Sequence, residues 1–279
     1  MISINRENNW VTRYSRQNQV DGLISDNRWG FFNAKIPSVF ITHQLTIKTP
    51  FNKFIENILR RMNYRLLEKF TECWVPDYEE ENNLAGELSH PVVRPSIPIK
   101  YLGKLTRITK ENISKQQNEL LIILSGPEPQ RSIFEVLLLK QLPMYTGQAV
   151  LVRGLPETTD ILPSSSNLIV HNYLSSDALG RVINDSSVII SRSGYSTIMD
   201  LVALNKKIIF VPTPGQSEQE YLARYLHRKG LCICFPQAGF SLKKVLEEVN
   251  GFTFTPFQTT ASTGFKIIVD RFIAKLKDN

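Results

Sequence analysis

The chain has 279 residues, long for one domain and comfortable for two, with the 42% hydrophobic and 21% charged content of an ordinary soluble globular protein. Its net charge of +7 points to an anionic partner, a phosphate-bearing substrate or an acidic membrane surface, while the lack of an aromatic-interleaved Arg/Lys tract or zinc-finger spacing argues against nucleic acid. No stretch approaches 18 uninterrupted apolar residues and the first 20 are polar, so neither a transmembrane helix nor a signal peptide is expected and a cytoplasmic protein is read.

Met1–Gln19 is polar, with weak helical periodicity around Trp10–Gln17. Val20–Ser25 reads as a strand running into the Ser25-Asp26-Asn27-Arg28-Trp29-Gly30 loop, and Val39–Ile41 as the next strand, with Thr42-His43-Gln44 at its carboxyl end. Thr49-Pro50 has the form of a helix start. The helix that follows is expected to bury Phe54, Ile55, Ile58, Leu59, Met62, Leu66 and Phe70 and to carry Lys53, Arg60, Arg61, Arg65 and Lys69 on its other face. That basic face, over residues 50–70, reads either as solvated or as resting on anionic lipid heads. Cys73–Val75 is a third strand, and Tyr78–Pro98, acidic and then Pro-rich, reads as a loop.

A boundary is expected near Gly103 to Gln117, with domains of about 1–104 and 105–262 and a closing helix over 263–279. The second half repeats strand–helix units. Strands are read at Leu120–Leu124, Ala149–Val152, Leu168–Val170, Val188–Ile190, Ile208–Val211 and Leu231–Cys234. Helices are read at Pro129–Gln141, Ser176–Asn184, Tyr195–Leu204 and Glu218–Lys229. Alternation of this kind predicts a parallel sheet with right-handed crossovers. Gly251–Thr263 is read as a loop and Thr263–Lys277 as the closing helix. Cys73, Cys232 and Cys234 are an odd set without framework spacing, which fits a reducing compartment, and the last two read as core packing.

The densest chemistry lies in Val188–Ala223. Ser191-Arg192-Ser193-Gly194 is a tight polar turn from strand to helix, where ligands bind in doubly wound domains. A helix starting at Ser193-Gly194 offers free N–H groups to an anion, typically a phosphate. Asp200, six residues on, is placed to accept ribose hydroxyls; a solvent-facing acid is the plain alternative. Arg192 reads as a source of positive charge or as a surface ion pair.

This stretch resembles the donor-binding segment of the GT-B glycosyltransferases, and among them family 28, which includes the enzyme transferring N-acetylglucosamine to the lipid-linked peptidoglycan precursor. The residues carrying the resemblance are Arg192-Ser193-Gly194, Thr197, Asp200, Val211-Pro212 and Gln216-Ser217-Glu218-Gln219. The family's acid is usually Glu, so Asp200 is one methylene shorter. The resemblance implies an α/β, GT-B-like fold of two Rossmann-like domains with parallel sheets, the first lacking its opening glycine-rich strand–loop–helix. It implies hexosyl transfer from a nucleotide sugar, with a UDP-linked donor and an acceptor that is lipid-linked in some members. No cofactor or metal is implied, and no Asp-x-Asp motif is present.

Residue by residue, the resemblance places the base beside Leu174 in His171-Asn172-Tyr173-Leu174, and the donor sugar beside Gln216, Gln219 and Glu220. Ser125 and Gly126 stand where members carry a Gly-Gly-Ser type loop, but Pro127 and Pro129 remove two N–H donors from it. Arg131 is a further candidate there. His43 is the first candidate for the base that takes the acceptor proton and Asp26 the second; a structural histidine is the alternative for His43. Two rival readings are a non-catalytic nucleotide-sugar-binding subunit or inactive remnant, and a nucleotide-sugar epimerase, which the four scattered histidines fit poorly.

Overall fold

The computed structural model describes residues 2–109, 118–160, 162–258 and 264–277. Residues 110–117 of the expected boundary segment, and residues 259–263 of the expected loop with the expected first residue of the closing helix, lie outside this set. The chain divides into two compact units, Met1–Leu105 with Thr259–Asn279, and Thr106–Gln258.

The first unit begins with α1 (Ile2–Gln17), β1 (Leu23–Asp26), β2 (Ser38–Ile41), α2 (Lys53–Leu67), β3 (Glu72–Val75) and β4 (Ile99–Tyr101). The strands form a parallel sheet in the order β1-β2-β3-β4. The sequence shows only three of these strands. Pro91, Pro95 and Pro98 interrupt any alternation ahead of β4, which is recruited by pairing with β3 rather than by its own pattern. β3 is buried along its whole length, as a parallel strand covered on both faces should be. Phe40, Cys73 and Val75 face Leu45, Leu67 and Phe70 on one side, while Val39 and Trp74 face Leu102 and Phe272 on the other.

Two expectations for α2 need correction. Its N-cap is Asn52, whose side chain accepts from the Ile55 N–H at 3.2 Å; Thr49 and Pro50 precede the helix. Its buried residues are Asn63 and Leu67, whereas Phe54, Ile58 and Met62 are exposed. The buried stripe is rotated because Asn63 turns inward, donating to the backbone carbonyls of Gln44 and Leu45 at 3.2 and 3.1 Å. A polar side chain with two buried carbonyls to satisfy claims the inner position over apolar neighbours.

The second unit holds β5 (Asn118–Ile123), α3 (Gln130–Leu139), β6 (Ala149–Val152), β7 (Leu168–His171), α4 (Ser176–Asn184) and β8 (Ser186–Ser191). It continues with α5 (Tyr195–Val202), β9 (Lys207–Phe210), α6 (Ser217–Arg228), β10 (Ile233–Cys234) and α7 (Leu242–Gly251). All strands are parallel in the order β10-β9-β8-β5-β6-β7. Successive strands therefore build outward in one direction from β5 and in the other from β8, and the topological switch point lies between those two. α7 is absent from the sequence reading. Its marks are the Ser241 N-cap and the buried Leu242, Val245 and Val249 at helical spacing.

The last helix, α8 (Phe265–Lys277), belongs to the first unit. Phe272 meets Trp74 edge-on at 5.5 Å between ring centroids, and Lys275 pairs with Glu72 at 3.0 Å. A Cβ on Gly22 would lie 2.7 Å from a terminal methyl of Leu276, so a larger residue there would push that side chain aside. No helix among the described residues is long and apolar enough to cross a membrane.

Candidate functional site

The carboxyl ends of β5 and β8 bring Ser125-Gly126 and Arg192-Ser193-Gly194 to the switch point of the second sheet. Gly194 is the N-cap of α5; no side chain caps the helix and its first turn holds no acid. Neither a side-chain cap nor an acid of its own first turn offsets the positive dipole end of the helix. A Cβ on Gly194 would meet nothing nearer than the Thr197 hydroxyl at 4.0 Å, so the approach is open. This is the geometry of an anion site at a helix start.

The loop after β9 closes in from one side. The Ser193 hydroxyl donates to the Gln219 carbonyl at 2.8 Å, and the Gln219 side-chain oxygen accepts from the Thr213 N–H at 2.9 Å. The Gln219 amide also donates to the Gln216 side-chain oxygen, and the Glu220 carboxylate accepts from the Gly215 N–H at 3.3 Å. Gln216, Gln219 and Glu220 therefore form one bonded group seated on the start of α5. Gly126 takes φ 100°, which glycine tolerates, and a Cβ there would lie 3.3 Å from the Thr213 hydroxyl. That hydroxyl is buried and has no hydrogen-bond partner.

Asp200 lies on α5 about 9 Å from Gly194 along the axis at 1.5 Å per residue. It is half-buried, and one of its oxygens accepts from the Thr106 hydroxyl at 2.5 Å. A carboxylate has about four lone-pair sites and can serve several donors at once. Leu174 is half-buried beside the exposed Tyr173 in the loop after β7. The neighbouring Asn172 anchors that loop, accepting from Arg153 at 2.8 Å and donating to the carbonyls of Thr158 and Asp160.

Two arginines depart from their expected places. Arg192 is not at the surface: it is 1% exposed, donates to the carbonyls of Val211, Pro212 and Gln130 and to the Gln237 side chain, and stacks over Phe134 at 4.6 Å. Burial pulls its guanidinium down to about 10. Arg131 is likewise buried; it pairs with Glu128 at 2.6 Å and with Glu135 at 3.3 Å, so its hydrogen bonds are spent within the fold. Arg153 binds the other side of Glu135 at 2.6 Å. The Arg131–Glu135–Arg153 group ties the loop after β5 to those after β6 and β7, and Arg192 ties it to those after β9 and β10. Only the i,i+4 spacing of Arg131 and Glu135 was visible in the sequence; Arg153, Gln237 and Thr106 join from far along the chain.

Burial alone would raise the Glu135 carboxyl, but hydrogen bonds from Arg153 and Arg131 outweigh it and hold the group below the usual carboxylate range. Its contribution is thus present above the unfolded value of about 4.3 and is lost as pH falls through the folded one. The denaturant midpoint of the second unit should hold between pH 7 and about 5 and decline below about 4. Glu135→Gln should flatten that decline, and an unchanged acid limb in the variant would remove Glu135 as its source.

In the first unit, Asp26 is exposed at the end of β1 and in register with Ile41, two residues before His43. His43 is half-buried in a loop held from several directions. The Thr42 hydroxyl accepts from the Gln44 N–H at 3.0 Å, Leu45 and Thr46 donate to the Leu88 carbonyl, and Asn63 reaches over from α2. Behind the loop lies Asp77, a fully buried carboxylate that accepts from the N–H groups of Tyr78, Leu84 and Ala85 and from the Ser89 hydroxyl. The stretch read as a plain loop is therefore organised around one acid, which composition alone did not reveal.

Residues 145–271 match the model of the glycosyltransferase family 28 C-terminal domain. Over 137 residues the chain is 27% identical to UDP-N-acetylglucosamine--N-acetylmuramyl-(pentapeptide) pyrophosphoryl-undecaprenol N-acetylglucosamine transferase of Sulfurihydrogenibium sp. (strain YO3AOP1), covering 47% of this chain and 38% of that one. The transferase of the same description from Pasteurella multocida (strain Pm70) is 26% identical over 106 residues, covering 38% and 29%. The chain thus spans well under half the length of these relatives. Among solved structures, S. aureus MnaA with UDP aligns with a TM-score of 0.63 at 12% identity, over 98% of this chain and 79% of that one. Acinetobacter baumannii MurG aligns with a TM-score of 0.58 at 14% identity, over the same shares. At these identities the solved structures establish the fold.

Proposed function

We propose that the chain, whose residues 145–271 match the glycosyltransferase family 28 C-terminal domain and whose fold is GT-B-like, serves transfer of a hexose, N-acetylglucosamine in the first instance, from its UDP-linked form to a lipid-linked acceptor. The observation that carries this reading is the uncapped, acid-free start of α5 at the switch point, with Asp200 six residues along the same helix. A diphosphate seats at the start of the helix while the carboxylate accepts ribose hydroxyls. Leu174 borders the base, and the Gln216–Gln219–Glu220 group faces the sugar. Charge building on the departing diphosphate is stabilised by the helix start, the kind of preorganised electrostatic support that commonly dominates catalysis.

On the acceptor side, His43 is the proposed base and Asp26 the second, each at the carboxyl edge of the first sheet. A lipid-linked acceptor brings the protein to a membrane surface. The exposed residues of α2 are the proposed contact, with the inner leaflet as its place.

The test is calorimetric titration with UDP-N-acetylglucosamine and a panel of other nucleotide sugars, on the wild type and on Asp200→Ala. Micromolar binding of a UDP-sugar, weakened on the order of tenfold (about 1.4 kcal/mol) by the substitution, is the expected outcome. A folded wild type that binds no nucleotide sugar ends the donor-site reading. Equal binding by the variant moves the ribose contact away from Asp200.

A further inference from the structure

The buried guanidinium groups of the second unit are not treated alike. Arg131 and Arg153 share the Glu135 carboxylate, and Arg131 also takes Glu128. Arg192, at 1% exposure, meets only neutral acceptors: three backbone carbonyls and the Gln237 amide oxygen. Its Nε–H is buried without an acceptor, and no carboxylate among the described residues pairs with it. A buried cation without a counter-charge is costly even with its hydrogen bonds made. Bonds to neutral acceptors leave the positive charge and the Nε–H of Arg192 unanswered.

Its surroundings favour an anion. Arg192 lies two residues before the N-cap of α5, a helix with no side-chain cap and no acid in its first turn, so the cation and the helix dipole act in the same sense. The Thr213 hydroxyl, 1% exposed in its residue and without a partner, lies on the same loop end, next to the Pro212 carbonyl that Arg192 binds. A guanidinium keeps its charge at neutral pH even when burial disfavours it.

We propose that Arg192 is a positioning residue whose unpaired charge is completed by the diphosphate of the bound donor, acting through the field beneath the start of α5 and not by contact. The inference rests on the donor-site reading above. It requires the loss on removing the charge to fall on phosphate affinity and to spare the affinity for the base and ribose. A purely structural arginine would instead lower apo stability and leave the affinity of the folded fraction alone.

The experiment compares the wild type, Arg192→Gln and Arg192→Lys. The readouts are the melting temperature without ligand and calorimetric affinities for UDP and for uridine, which shares the base and ribose but lacks phosphate. For Arg192→Gln, in the fraction that stays folded, the expected result is UDP bound at least tenfold more weakly and uridine within twofold of the wild type. UDP affinity within twofold of the wild type, or equal losses for UDP and uridine, overturns the proposal. Arg192→Lys keeps the charge while losing most of the hydrogen bonds, so its ratio of UDP to uridine affinity should stay within threefold of the wild type. A collapse of that ratio overturns the proposal even if the Gln variant fails to fold. If the wild type binds neither ligand, the donor-site reading fails first and this inference falls with it.

Discussion

Asp77→Ala is expected to destabilise the first unit by about 3 kcal/mol or more, because each buried donor left without an acceptor costs ~1–3 kcal/mol. The carboxylate satisfies three backbone N–H groups and the Ser89 hydroxyl from a fully buried position. Alanine supplies no acceptor to these donors. The consequence reaches the candidate base: Leu88, within that stretch, takes the Leu45 and Thr46 N–H groups of the His43 loop at 2.8 and 3.0 Å. Hydrogen exchange should therefore accelerate at Leu84, Ala85, Leu45 and Thr46 together. Asp77→Asn, which keeps one oxygen, should show a smaller loss. A denaturant midpoint for Asp77→Ala within about 1 kcal/mol of the wild type would mean that the four donors find other partners.

The second large effect concerns membrane binding. Phe54, Ile58 and Met62 recur every four residues on α2, with Phe51 just ahead of its N-cap, and at 71%, 42%, 54% and 67% exposure they form an exposed apolar stripe. Lys53, Arg61, Arg65 and Lys69, all exposed, share the same segment. An apolar stripe flanked by cations is the pattern of a helix lying in a bilayer interface, with rings among the acyl chains and cations at anionic head groups. Burying two such side chains is worth roughly 3 kcal/mol, so Phe54→Ser with Ile58→Ser should weaken binding to vesicles containing anionic lipid on the order of a hundredfold. Both positions are exposed, so the melting temperature should barely change. Raising the salt should weaken the wild type by screening the cations. Co-sedimentation that is identical for the wild type and the double variant would reject α2 as the contact.

The repeating strand–helix pattern of the second unit was legible because each element there is local. Val188–Ile190 and Ile208–Val211 are short β-branched runs, Ser175 and Ser176 open a helix, and the Arg192-Ser193-Gly194 turn marks its own position. The candidate donor residues were legible for the same reason, since a helix start and an acid six residues later are set by spacing along one chain. Sequence by itself thus determined the fold class, the donor-type motif and the basic character of α2.

Tertiary structure decided what depends on partners distant in the chain. The strand order that puts β5 beside β8, and so creates the switch point, follows from crossovers that no single strand encodes. β4 is a strand because β3 offers it an edge. α2 shows Phe54 and Ile58 to solvent because Asn63 has two carbonyls to satisfy inside, a demand that periodicity in hydrophobicity does not register. Arg192 reads from the sequence as a source of positive charge or a surface ion pair, and Arg131 as a further candidate in the loop after β5. The fold buries both, one against neutral carbonyls and one against Glu135, because the loops converging at the strand ends need donors that reach several acceptors at once. Spacing sets which side chains share a face; the chain's own packing sets which face is inside and which charges find a counterpart.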